Sequence, residues 1–124
     1  MTNYSIQKKT FYMLAYTPPE LNGVYERYIL IAQNLGIFNP ATDIWLNGLR
    51  TREHSNPDVP NSEISGSDLL DLLKQRGRKD RKSAIVCSVV PDFNSLEDSL
   101  INFYLQNGFE IHRDGLNIFA RCEL

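Results

Sequence analysis

Three groups of residues in this chain have types and spacing that can do chemistry. Gly66-Ser67-Asp68 stands where a polar loop gives way to a leucine-rich segment. Backbone N–H groups at such a helix start face outward to an anion, and the glycine lets a ligand approach the main chain closely. Glu53 and His54 follow an apolar segment ending at Arg52. A histidine with an ordinary pKa of about 6.5 suits proton abstraction near neutral pH, although a loop histidine is equally at home in water. Lys74 to Lys82 holds six basic residues in nine positions, offset by Asp80. Cations at this density can meet phosphates or an acidic partner, and they also suit the negative end of a helix. No H-x-x-x-H, C-x-x-C or spaced carboxylate set points to a metal.

The elements that must carry these residues can be read in order. Thr10 to Tyr16 is apolar and aromatic between lysines and prolines, which predicts a strand. Leu21, Val24, Tyr25, Tyr28, Ile29, Ile31, Ala32 and Leu35 recur at helical spacing before Gly36. Asp43 to Arg52 has strand character, and its Gly48 suggests a bulge or a close backbone approach. Glu53 to Ser67 is polar and proline-containing, a loop long enough to be functional or mobile. Ser65 or Ser67 caps the next helix, Leu69, Leu70, Leu72 and Leu73 give its buried face, and Arg76-Gly77-Arg78 ends it. Ala84 to Val90 is apolar throughout, as in an interior strand covered on both faces.

The last thirty residues divide into a helix, a break and a hairpin. Ser95 is a suitable N-cap, with Glu97 and Asp98 in the first turn. Leu96, Leu100, Ile101, Phe103, Tyr104 and Leu105 follow at roughly helical spacing, and Asn107-Gly108 stops the helix. Phe109 and Ile111 open a strand, Asp114-Gly115 suits a type I′ turn, and Leu116, Ile118, Ala120 and Cys122 alternate along the return. The order β-α-β-α-β-α-β-β predicts one α/β domain over residues 1–124, a mixed central sheet with flanking helices.

Composition narrows the class. Hydrophobic residues at 42% and charged residues at 23% are globular values. No apolar run approaches the roughly 18–20 residues that span a bilayer, and Lys8-Lys9 precede too short an apolar stretch for a signal peptide. Cys87 and Cys122 lie in apolar segments without C-x-x-C spacing, so buried free thiols in a reducing cytoplasm are expected. A net charge of −2 makes a nucleic-acid coat an unfavoured role but leaves room for a local basic patch.

The segment Phe103-Tyr104-x-x-x-Gly108-Phe109, placed between an apolar strand and a terminal hairpin, resembles the C-terminal motif of GNAT-type N-acetyltransferases. The resemblance extends from about Asp43 to Leu124 in its loop–helix–strand–helix–hairpin order. The front half is shorter than the family's, with one helix where two helices and a β-hairpin are usual. It implies a compact GNAT-like fold, acetyl-CoA as co-substrate and an amine acceptor of unspecified identity. Tyr104 would then protonate the departing CoA thiolate, and Gly66, Ser67 and Asp68 would hold the pyrophosphate. The main chain of Leu49, Arg50 and Thr51 would pair with pantetheine amides, Asn94 would bond the pantetheine arm, and Arg76, Arg78 or Lys79 would meet the 3′-phosphate or an acidic partner. Glu53 or His54 would serve as general base.

Other readings of the same residues stay open. Tyr104 also fits an aromatic core position, because neighbours on a helix point about 100° apart and Phe103 cannot share its direction. The pyrophosphate pattern is matched cleanly only at Gly66, with Asn61 and Ile64 in the other places and Glu63 and Asp68 adding negative charge. The rival is a non-catalytic GNAT-like module contacting a protein or nucleic acid through residues 74–82; a third is an unrelated α/β domain. The terminal hairpin also leaves an edge through which two copies can pair.

Overall fold

The computed structural model describes residues 3–7, 12–16, 23–50, 66–90 and 96–124. Strands β1 (Asn3–Gln7) and β2 (Tyr12–Tyr16) form an antiparallel pair, and α1 (Gly23–Asn34) follows. Strand β3 (Asp43–Arg50), α2 (Gly66–Lys79) and β4 (Ala84–Ser88) come next; then α3 (Glu97–Gln106) leads to β5 (Glu110–Asp114) and β6 (Asn117–Glu123). All six strands lie in one sheet, in the order β1-β2-β3-β4-β6-β5. Among the described strands only β3 and β4 run parallel. The chain is therefore α/β with a mixed sheet, as the element order predicts.

The sheet is covered on both sides because its central strands are apolar at consecutive positions. Ile44, Leu46, Ile85, Cys87, Ala120 and Cys122 face a cluster completed by Leu69, Leu70 and Leu73 of α2, with Tyr104 and Phe103 of α3 packed against it. Trp45, Val86 and Phe119 point the other way, onto Ile29 and Ala32 of α1 and onto Ile37 and Phe38. Phe38 and Phe119 meet the Trp45 ring edge-on at 5.3 and 6.5 Å. Strand β4 is buried from Ala84 to Cys87, which accounts for its unbroken apolar sequence.

Several elements depart from expectation, each for an identifiable reason. Strand β1 was not legible, since its five residues include three polar ones; its partner is β2 along its whole length. Helix α2 does not end at Gly77 but runs through it to Lys79. A Cβ at Gly77 would stand 2.6 Å from Leu124 Cδ1 and 3.2 Å from Ile44 Cδ1, so this glycine serves close packing against β3 and the chain after β6. The stop comes at Arg81, which takes a left-handed φ of 59° while the Lys82 N–H bonds the Gly77 carbonyl at 2.8 Å. Ser67 lies inside the first turn of α2 and is not its cap.

In α3 the cap position is Leu96, with no side-chain cap bond; Ser95 is outside the described residues. The terminal turn is Gly115-Leu116, because Asp114 pairs directly with Asn117. Gly115 has φ +58° and Leu116 does not share a positive φ, the pattern of a type II′ turn. Leu116 is accordingly fully exposed and not part of the return strand's apolar face.

Candidate functional site

The parallel pair is short. Strands β3 and β4 pair at Asp43/Ala84, Ile44/Ile85 and Trp45/Val86, and there the pairing stops, although both strands continue. Beyond Trp45, β3 pairs only with β2, and its register slips: Ala15 opposes Leu46 while Leu14 opposes Gly48. Asn47 is the extra residue of a β-bulge, which bends a strand and sharpens its twist. Gly48 thus marks the bulge anticipated in the sequence. Beyond Val86, β4 pairs only with β6, through Cys87/Ala120 and Ser88/Phe119. The facing edges of Leu46–Arg50 and Cys87–Ser88 have no strand partner among the described residues. Among the described residues the β3–β4 ladder is therefore split at the carboxyl ends of the two parallel strands, the place where open α/β sheets bind ligands.

Two helices bring side chains and backbone groups to this split. Helix α2 joins the end of β3 to the start of β4, and its last residue lies five positions before Ala84. Its C-terminus therefore sits at the closed end of the strand pair. Fourteen residues rise about 21 Å, so its N-terminus at Gly66-Ser67-Asp68 is carried toward the split end. From α3, Tyr104 packs on the cluster containing Cys87. Cys87 stands one row past the last β3–β4 pair, in the cluster against which Tyr104 packs. The Phe103 and Phe109 rings lie 5.3 and 5.2 Å from the Tyr104 ring, both edge-on.

The end of α3 is tied down around Tyr104. The Asn107 and Phe109 N–H groups both bond the Tyr104 carbonyl at 3.0 Å, and Asn107 Nδ2 bonds the Phe103 carbonyl at 2.8 Å. Lys74 of α2 donates to the Asn107 carbonyl and holds its ammonium 5.7 Å from the centre of the Phe109 ring. Gly108 has φ +84°, while the space a Cβ would take is free apart from Lys74 Nζ at 3.8 Å. Backbone conformation, and not crowding, requires glycine there.

The electrostatics favour neutral, protonated groups at the base of the split. Burial pushes the Cys87 thiol up to about 12, against the hydrogen bonds from Tyr104 and Ala120, which pull it down. Burial raises Tyr104 well above the ordinary value of 10, and its contact with Cys87 raises it further. At neutral pH, Tyr104 is a proton donor and Cys87 is not a thiolate nucleophile.

The other sequence-predicted residues divide clearly. Leu49 and Arg50 are on β3 beyond the bulge, opposite Met13 and Tyr12. Gly66, Ser67 and Asp68 form the first turn of α2. Arg76 is exposed, ion-paired with Asp80 at 3.2 Å, and ten residues or about 15 Å along the helix axis from Gly66, so the two are not brought together. Thr51, Glu53, His54 and Asn94 lie outside the described residues. His112, which is not one of those residues, lies on the α1 side with Phe119, its Nε2 buried 3.6 Å from Glu110. Nothing in the sequence marks Cys87 as a neighbour of Tyr104. Both cysteines are free and buried, as expected.

A concavity of about 490 Å³ opens at the opposite end of the strands, beside Gln33, Asn39, Asp43 and Arg121. The one buried carboxylate there, Asp43, already accepts from the Asn39 N–H at 2.9 Å and the Thr42 hydroxyl at 3.1 Å, so it serves the turn into β3. Among the described residues, no group of His, Cys, Asp or Glu could hold a metal ion, and no helix is long and apolar enough to cross a membrane. Family models, curated proteins and solved structures show no match to this chain.

Proposed function

We propose that this chain is a compact GNAT-like N-acyltransferase that moves an acetyl group from acetyl-CoA to an amine. The observation that carries the proposal is the split between β3 and β4, with Tyr104 at its base and the start of α2 directed toward its open end. The facing edges of Leu46–Arg50 and Cys87–Ser88, without a strand partner among the described residues, suit an extended ligand bearing amides, which adds to a sheet as a further strand would. The N–H groups of Gly66, Ser67 and Asp68 suit a pyrophosphate, although the Asp68 carboxylate in the same turn weakens their pull on an anion.

Bound acetyl-CoA supplies its acyl group as a thioester. Tyr104 then acts as general acid, giving its hydroxyl proton to the sulfur as the C–S bond breaks. The cluster containing Cys87 packs against the Tyr104 side chain, and Phe103 and Phe109 flank its ring edge-on. Glu53 or His54 would take the proton from the attacking amine, and Thr51 and Asn94 would extend the pantetheine contacts. The test is thermal unfolding with and without millimolar acetyl-CoA. At about 100 times Kd the ligand adds about 2.7 kcal/mol, close to a 10 °C rise in Tm for a chain of this length. A rise kept in Tyr104→Phe and lost in a still-folded Gly66→Glu supports the site; no rise in the wild type removes acetyl-CoA.

A further inference from the structure

The charge of this chain is sharply divided. Positions 74–82 hold six basic residues and one acidic residue, a local +5; the remaining seven basic and fourteen acidic residues give −7. The structure gathers the positive part at one end of the molecule, the C-terminus of α2 and the turn into β4, opposite the split. Lys74 is occupied with the end of α3, and Arg76 is paired with Asp80. That leaves Arg78, Lys79 and Arg81 exposed and Lys82 half-buried, with no ion pair to any of the four among the described residues.

Arg81 adds a second and independent observation. It is the sole non-glycine with a positive φ among the described residues, at 59°, and it stands in the position after a helix where glycine is favoured. An arginine there is held against its own backbone preference, and such an outlier is a reason to look for a role of the side chain. Helix-end neutralisation does not require it, since Arg76, Arg78 and Lys79 already occupy the last turn.

The surroundings select the kind of partner. Among the described residues the exposed large apolar ones are Leu30, Leu35, Val90, Leu96, Leu105 and Leu116, and none lies within 76–83. An interface with a folded protein is anchored by apolar and aromatic residues at its centre, which this tip does not offer. Counterion release from a phosphate backbone needs only cations. We infer that the tip formed by Arg78, Lys79, Arg81 and Lys82 docks on the phosphate backbone of a nucleic-acid duplex, without reading its sequence. This holds whether or not the split binds acetyl-CoA.

Fluorescence anisotropy of a labelled 20-base-pair duplex, titrated with the full chain between 50 and 200 mM salt, tests it. Four phosphate contacts give a slope of log K against log salt of about −3.6, a loss of roughly 100-fold over that range. Arg81→Gly is expected to reduce the slope by about 1 while raising Tm by about 2–3 °C, so weaker binding cannot be blamed on unfolding. Lys79→Gln should reduce the slope equally. No binding at 50 mM salt overturns the inference, as does binding that both variants retain unchanged. Poly-glutamate failing to compete supports a phosphate partner; poly-glutamate competing at equal charge concentration overturns it in favour of an acidic polypeptide.

Discussion

Raising the pH should loosen this protein in a way that one side chain controls. The Cys87 thiol is raised from an ordinary 9.0 to about 12 by burial between β4, β6 and Tyr104. The folded chain therefore keeps a proton that the unfolded chain loses, and stability present below pH 9 is lost as the pH rises toward 12. At pH 10.5 the unfolded thiol is almost wholly ionised and the folded one almost wholly protonated. The linkage is then worth about 2 kcal/mol, against almost nothing at pH 8. Urea unfolding under reducing conditions at the two pH values, on the wild type and on Cys87→Ala, isolates this contribution, because the lysines and other tyrosines are common to both. The variant should start lower at pH 8, through the small cavity it leaves, and then fall by about 2 kcal/mol less than the wild type. Parallel losses in the two proteins would refute the burial of Cys87 against Tyr104.

Three further substitutions follow from single features. Gly108→Ala should lower stability by about 1–2 kcal/mol in urea unfolding, because φ +84° is unfavourable for alanine even though the space is free. Trp45→Phe should be nearly neutral by the same measurement while Trp45→Ala loses about 3–5 kcal/mol, since the indole N–H is buried without an acceptor and the ring itself fills the α1 cluster. Leu116→Lys should leave Tm unchanged within about 2 °C, as that side chain is fully exposed at the turn.

The legible part of this fold was whatever periodicity and turn chemistry encode locally. The four leucines of α2, the unbroken run in β4 and Asn107-Gly108 after α3 led to elements within a few residues of those observed. Properties set by distant neighbours were hidden. Gly77 looked like a helix stop because its packing partners, Leu124 and Ile44, are remote in sequence. Asp114-Gly115 looked like the turn because the register of β5 on β6 is fixed by burial of Ile118 and Ala120, not by the turn residues alone. At the site, Tyr104 and the first turn of α2 could be named from sequence. Cys87 and the end of strand pairing after Trp45 could not, since both depend on which strands become neighbours. Gly48 was the one local trace of the split.

The most direct test is an NMR titration of the isotope-labelled chain with acetyl-CoA, following backbone amides. The largest shifts are expected on Leu46 to Arg50, Cys87, Ser88 and Gly66 to Asp68, the two arms of the split and the helix start beside it. Shifts concentrated instead around Gln33, Asn39 and Asp43, or no shifts at millimolar ligand, would contradict that placement.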